Sequence, residues 1–518
     1  MTLEQINTQD CDQAPIHCLP DEILELIFLI NTSKFVDQGN ENHHDPHLTT
    51  LATAQVCQRW RAVALNYPVI WSRIINYEQH SPLWIETLLA RSGSTLIDVY
   101  RNSPFEPIII PRQYPRQHKP VLQSIFQRIA SLKTISLCIP RDTWESVCRS
   151  FLGQPAPNLE FLKLIIYCPF SAGYCYYPNP LFADEAPSLR RLHLEKCLID
   201  FSSSVLSNLT ELSVLNVIPR GVLMLSEPEY SHRLRLLVPS VAGWLRVLKN
   251  IPALRFLTLW DAISHPRATD HEPLLVVDLP HLASLTINTE FHLGVPLIDH
   301  LNIPSLCGIK FKFTGNRSRS TDGLDGHTKL LSFLSKQLTH WPQDCSERYL
   351  QAIIDSGGKI RFGNSKRVGQ DSYMTESDEV EAHAQYSKDP MLLLILSFGP
   401  LEDSFAFFNH LLELYSSTFP TTTTLDLWVA EVFTDNTVIT TGSFPAFSTF
   451  HSFTNVKTLT LLNQFPLFLL PLFQHSSLPG HPLLFPALQS LHLRGDRHDG
   501  RRTGCNVQRS CCISPDAS

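Results

Sequence analysis

The chain has 518 residues, of which 43% are apolar and only 18% charged, against about 25% charged in an ordinary soluble domain, and this excludes a disordered polyampholyte. A net charge of −7 without any block of five or six like charges argues against nucleic acid or an anionic membrane as the main partner. Proline, at 37 residues, outnumbers glycine, at 21; this reverses the usual order, so some feature of the chain uses proline systematically.

Residues 1–13 are polar and slightly acidic, without the basic and apolar regions of a signal peptide. The densest apolar stretches, 23–30, 391–398 and 465–473, fall well short of the roughly 20 residues that span a bilayer. A cytoplasmic or nuclear protein is expected, with no membrane span and with residues 1–15 disordered. The 13 cysteines include no C-x-x-C pair, and only Cys511 and Cys512 are adjacent. They read as reduced, mostly buried thiols, not as a disulfide framework or a zinc site.

Residues 16–30 read IHCLPDEILELIFLI. Pro20 suits the first helical position, where its missing N–H has no intrahelical acceptor, and Asp21 and Glu22 place negative charge at the positive end of the helix dipole. Ile23, Leu24, Ile27 and Phe28 recur at helical spacing, and Leu26 and Ile30 carry the apolar surface beyond one face. A short helix buried on two sides is predicted. The polar stretch 37–47, with His43, His44, Asp45 and His47, reads as a solvated insertion because no ligand partner follows at fixed spacing. A second helix is predicted over 48–66, with Val56, Trp60, Val63 and Ala64 on one stripe, stopped by Pro68 before Ile70 and Trp71.

In order, Leu19-Pro20-x-Glu22-Ile23-Leu24-x-x-Ile27-Phe28, Val56-Cys57-x-x-Trp60-Arg61 and Pro68-x-Ile70-Trp71 form a pattern that resembles the F-box, in particular the F-box-like modules of mushroom-forming fungi. The long polar insertion departs from the shortest F-boxes. The resemblance implies a three-helix module over 16–75 that docks on the Skp-type adaptor of a cullin-RING ubiquitin ligase through a helical apolar face. Leu19, Pro20, Ile23, Leu24, Ile27, Phe28, Val56, Cys57, Trp60 and Trp71 then become candidates for adaptor contact or for shaping that face. The alternative for each is packing within the module, but a piece this small cannot bury all of them.

Residues 81–100 predict a helix, a glycine-containing turn and a strand. This segment resembles the one that commonly follows fungal F-boxes, and residues 81–130 are taken as the junction and first solenoid unit. Downstream, the phrase L-x-x-L-x-L, with Ile, Val or Phe allowed, returns at 132–137, 159–164, 189–194, 209–214, 254–259, 282–287, 306–311, 456–461 and 488–493. Pro157, Pro187, Pro252, Pro280, Pro304 and Pro486 each stand two residues before a first leucine. Each phrase predicts a short strand with one buried face, since proline can precede a strand but not sit inside a central one. First leucines are spaced by 27, 30 and 20, then by 28 and 24 residues, close to the roughly 20–29 of leucine-rich repeats.

The pattern over 131–495 resembles the irregular leucine-rich repeats that follow F-boxes, with a degenerate repeat near 234–238. An ordinary half-buried antiparallel sheet is the alternative. The expected fold class is therefore α/β (α+β), a small helical head followed by a solenoid. Residues 314–327 and 364–389 are polar and read as surface insertions or disordered loops. The threonines at 421–424 open another strand. Residues 496–518 form an atypical or disordered tail in which no polar capping unit is recognisable.

There is no phosphate loop, G-x-G-x-x-G, H-E-x-x-H or G-x-S-x-G, so a non-enzymatic protein without cofactor or metal is expected. On a repeat array the partner-facing positions are the third, fifth and seventh of each phrase. These include Phe161, Lys163, Arg191, His193, Glu195, Thr258, Trp260, Lys310, Lys312, His492 and Arg494. Phe161 and Trp260 are expected to be exposed amid charges, as anchors for a protein, and His193 and His492 to face solvent; ordinary solvated or edge-packed residues are the alternative. The expectation is a non-catalytic substrate receptor whose head recruits the adaptor, and through it a cullin, while the repeats hold an unidentified target protein. The alternative is a repeat scaffold whose F-box-like module does not engage a ligase.

Overall fold

The computed structural model describes residues 19–32, 46–100, 118–167, 175–177, 179–218, 237–267, 273–314, 322–338, 349–354, 359–363, 392–397, 407, 410–415, 422–429, 450–463, 484–494 and 511–512. It combines helices with mostly parallel strands and is of the α/β class. No helix among the described residues is long and apolar enough to cross a membrane. The expectations for residues 1–15, for His43, His44 and Asp45, for 364–389 and for most of 234–238 and 496–518 lie outside the described residues. The chain divides into two compact units, Met1–Leu209 and Thr210–Ser518.

Among the described residues the head of the first unit has four helices, not three: α1 (Asp21–Asn31), α2 (Pro46–Thr53), α3 (Gln58–Asn66) and α4 (Pro68–Ser72). The single helix expected over 48–66 is broken because Cys57 is extended and caps α3, its Sγ accepting the Trp60 N–H at 3.4 Å. Pro20 is the N-cap of α1, one position earlier than expected, and its carbonyl accepts the N–H groups of Ile23 and Leu24. Pro68 does not end the helical module; it occupies the first turn of α4, where no N–H is required.

There follow β1 (Ile75–Asn76), α5 (Pro82–Arg91), β2 (Ile97–Tyr100), α6 (His118–Phe126), β3 (Leu132–Pro140), β4 (Phe161–Tyr167), β5 (Cys175–Tyr177), β6 (Arg191–Glu195) and β7 (Cys197–Ile199). β1, β2, β3, β4 and β6 pair in that order, all parallel, and β5 and β7 form a separate parallel pair. The helix, turn and strand expected over 81–100 are α5, Gly93 with φ +56° and β2. Buried Tyr77 ties β1 to β3, its hydroxyl donating to the Cys138 carbonyl at 3.0 Å and accepting the Cys138 N–H at 2.7 Å.

The second unit contains β8 (Glu211–Leu215), α7 (Val241–Lys249), β9 (Phe256–Trp260), β10 (Val277–Asp278), β11 (Ser284–Glu290), α8 (Phe291–Asp299), β12 (Leu301–Asn302), β13 (Gly308–Thr314) and α9 (Asp322–Leu338). Next come β14 (Tyr349–Ile354), β15 (Lys359–Gly363), β16 (Leu392–Ser397), β17 (Thr424–Val429), β18 (Thr458–Asn463), β19 (Ser490–Arg494) and β20 (Cys511–Cys512). Their ladder runs β8-β9-β11-β13-β16-β15-β14-β17-β18-β19-β20. Pairing is parallel except around β15 and at the β19–β20 end. Residues 322–327, expected in a surface insertion, are the first turns of α9, where His327 packs against the rings of Phe291 and Phe407. Cys511 and Cys512, expected in an unstructured tail, pair with β19.

All nine L-x-x-L-x-L phrases end in strands. Leu159, Leu189, Leu254, Leu282 and Leu488 each close a four-residue turn, donating their N–H to the carbonyls of Ala156, Ala186, Ile251, Leu279 and Phe485 at 3.0–3.2 Å. The preceding proline is the second residue of that turn, where its fixed φ is already correct, and this is where much of the proline excess goes. The fourth and sixth residues, for example Leu192 and Leu194 or Leu285 and Ile287, point into the core. Leu306 is an exception: it is exposed, and Cys307 closes the turn on Pro304 and is buried instead. After β6, β8 and β9 the chain turns through Lys196, Asn216 and Asp261, all with left-handed φ of 48–53°.

Candidate functional site

α1 is apolar on two faces, and the head covers only one. Leu24 and Phe28 are buried, Phe28 lying 5.4 Å from the Trp60 ring. Trp71 is buried with its indole N–H on the Ala64 carbonyl at 2.8 Å. The opposite face, at positions i, i+3, i+4 and i+7, carries Ile23 (42% exposed), Leu26 (51%), half-buried Ile27 and Ile30 (48%). Val56, in the turn before α3, is 57% exposed. The expectation that α1 is buried on two sides is therefore corrected: a module this small supplies one wall only.

Among the ten head residues singled out from the sequence, Pro20, Ile23 and Val56 are exposed, and Leu19, Ile27 and Cys57 are half-buried. Leu24, Phe28, Trp60 and Trp71 are core. Leu26 and Ile30 were visible in the sequence as a second apolar face but were not among the ten. Arg59 fixes the start of α1, its guanidinium reaching the Asp21 carboxylate at 2.6 Å and the Leu19 carbonyl at 2.5 Å.

Beside the head, His47 is half-buried, not solvated as its polar surroundings suggested, and its Nε2 accepts the Trp84 indole N–H at 3.0 Å. Its ring meets the buried His80 ring edge-on with centroids 4.2 Å apart. Burial, followed by the charge on His47, pushes the His80 pKa down to about 4. The Arg91 guanidinium lies over the Trp71 ring at 4.5 Å.

On the strand faces, register places Phe161 beside Arg191 and Lys163 beside His193. The Arg191 guanidinium stacks over the Phe161 ring at 4.5 Å, so Phe161 is half-buried. Lys163 and Glu195 are half-buried, and Arg191 is exposed. His193, expected to face solvent, is half-buried; its Nε2 is enclosed without a hydrogen-bond partner among the described residues. Burial, then the Lys163 charge, lowers its pKa to about 3. His492 is half-buried in β19, which also holds Arg494.

In the second unit Thr258, Thr286 and Lys310 form one cross-strand row, and Trp260, Asn288 and Lys312 the next. Thr258 is half-buried. Trp260, Lys310 and Lys312, all expected to face a partner, are buried. Strands on both sides crowd them, and the Lys312 ammonium reaches across Asn288 to within 5.3 Å of the Trp260 ring centroid.

The fold also gathers one group that no sequence spacing flagged. His265, Glu290 and His292 lie together, exposed, with ligand-type atoms within 4.8 Å of one another. The buried thiol of Cys307 has its pKa pushed up to about 12 by burial and is inert; Cys138, Cys175 and Cys197 are likewise buried, and Cys57 is half-buried. No protein-family model matches the chain, and no curated protein matches it either.

Proposed function

We propose that the head is an F-box-type docking module, and that the protein is a non-catalytic substrate receptor that attaches a target protein to a cullin-RING ubiquitin ligase through a Skp-type adaptor. The observation that carries the reading is the division of labour on α1. Leu24 and Phe28 already satisfy the head's own core, yet Ile23, Leu26 and Ile30 remain exposed on a continuous helical stripe beside Pro20. Soluble surfaces tolerate scattered apolar residues, but a stripe of large ones marks a docking face. Fully burying one such side chain contributes about 1.5–3 kcal/mol; these are already about half covered, so the stripe supplies part of the binding energy and contacts around it supply the rest.

The units built from L-x-x-L-x-L strands hold the target. Their open positions include Arg191, with Lys163, His193 and Glu195 partly accessible; the closed row of Trp260, Lys310 and Lys312 is a poorer candidate. Blocking cullin activity in cells and measuring the lifetimes of captured partners tests the receptor role. A receptor predicts at least one partner that is stabilised by the block and still recovered with a chain lacking residues 1–80, whereas the adaptor is recovered only with the full chain. Partners whose lifetimes ignore the block would instead favour a scaffold that does not serve a ligase.

A further inference from the structure

We propose that His265, Glu290 and His292 form an open surface site for a divalent first-row transition-metal ion of the zinc class. Glu290 and His292 are delivered by regular elements, and His265 by a loop anchored at its neighbour. His265 follows Ser264, which is fixed by its N–H on the Pro239 carbonyl (3.0 Å) and its hydroxyl on the Val238 carbonyl (2.8 Å). Glu290 ends β11 and caps α8, and His292 stands in the first turn of that helix. Because β9 and β11 pair in parallel register, the turns at their ends are neighbours, and two residues 27 apart in sequence arrive side by side.

The distances suit a metal. His265 Nδ1 and His292 Nε2 are 3.2 Å apart, close to the roughly 3.3 Å edge between two nitrogens bound to tetrahedral zinc at about 2.0–2.1 Å. The Glu290 carboxylate lies 3.5 Å from His292 Nδ1 and 4.0 Å from His265 Nε2, the other nitrogen of each ring; with one donor atom taken from each side chain the three lie within 4.8 Å of one another, and turning an imidazole about its Cβ–Cγ bond brings them onto one ion. All three side chains are exposed, so drawing them onto one ion takes side-chain rotation and no repacking. Two imidazoles with one carboxylate favour zinc, nickel or copper and disfavour magnesium and calcium, which prefer oxygen ligands. Three protein ligands leave at least one position for water, as in non-structural zinc sites. The positive end of α8 opposes a cation, but at an exposed position this is weaker than direct ligation. The site is independent of adaptor docking.

The test is titration of the full, reduced chain with Co2+, followed by displacement with Zn2+. The proposal predicts one equivalent of ion bound with a nitrogen–oxygen absorption spectrum lacking thiolate charge transfer. This component should weaken more than about 100-fold in His265→Ala and His292→Ala, beyond the 10–100-fold typical of losing an outer-shell partner. Glu290→Gln should weaken it less, and Mg2+ should not compete. The metal-free melting temperature of each variant should match the parent, since none of the three side chains is buried. A nitrogen–oxygen component that survives both histidine variants, or cobalt bound only through thiolates, would overturn the proposal and leave a hydrogen-bonded surface cluster.

Discussion

The outer face of α1 and the long-side-chain face of β9 and β13 reverse the usual relation between chemistry and exposure. α1 turns isoleucine and leucine to solvent, whereas β13 folds two lysines in, one of them over the ring of Trp260. The cause is the number of neighbours. A helix at the margin of a small module meets protein on one side only, so any apolar residue beyond its inner stripe is exposed. A strand inside a ladder has same-face neighbours about 5 Å away on both flanks, so even a lysine stem is covered. Availability for a partner therefore belongs to the head's apolar stripe far more than to the centre of the second unit's ladder.

The largest effect separates the two faces of α1. Phe28→Ala should cost about 3–5 kcal/mol, the combined loss of transfer and packing for a buried ring, while Ile23→Ala should change stability by less than about 0.5 kcal/mol. Urea unfolding of both variants checks this; equal costs would place the two residues in the same environment.

Acid probes the buried histidine beside the head and the half-buried one in the strands together. His80 and His193 have folded values lowered to about 4 and about 3, below the roughly 6.5 of the unfolded chain. As pH falls below about 6.5, the unfolded chain takes up protons that the folded one refuses. Stability should drop by up to about 1.4 kcal/mol per pH unit per histidine until the folded value is reached, and is fully present above 6.5. His80→Gln and His193→Gln should each flatten the decline in unfolding midpoint with pH; parallel curves would contradict the burial described.

A smaller effect tests how closely helix and strand pack in the second unit. A Cβ added at Gly294 in α8 would meet the Phe313 ring, with ring carbons at 2.8 and 2.9 Å. Alanine gains about 1 kcal/mol of helix propensity over glycine, but overpacking costs about 1–3 kcal/mol. Gly294→Ala should therefore lower the thermal midpoint; a raised one would mean that α8 and β13 pack more loosely.

Much of this organisation was legible in the chain. The alternation in L-x-x-L-x-L marks strands because a strand has period two, and prolines mark the turn before six of the nine. Leu306 misleads because Cys307 beside it is also apolar, and only the position of the turn decides which of the two goes inside. The break at Cys57 is hidden because residues 52–56 are compatible with a helix and a thiol is an unusual cap. The antiparallel pairing of β14, β15 and β16 was not legible, since it reverses chain order within a ladder whose other members read alike. At the candidate sites, helical spacing showed that α1 had apolar residues to spare but not which side was spare. The trio of His265, Glu290 and His292 has no local spacing at all.

The central claim is that the outer stripe of α1 is a docking face. It is tested most directly by the affinity of the full chain for a purified Skp-type adaptor, measured for the parent and for Ile23→Glu combined with Ile30→Lys. These charges complement the helix dipole, so α1 is kept while its apolar stripe is removed. The account predicts specific binding by the parent and a loss of at least about 100-fold in the variant, two contacts at roughly 1.4 kcal/mol or more each, with an unchanged melting temperature. Adaptor binding that is absent in the parent, or equally tight in the variant, would contradict it.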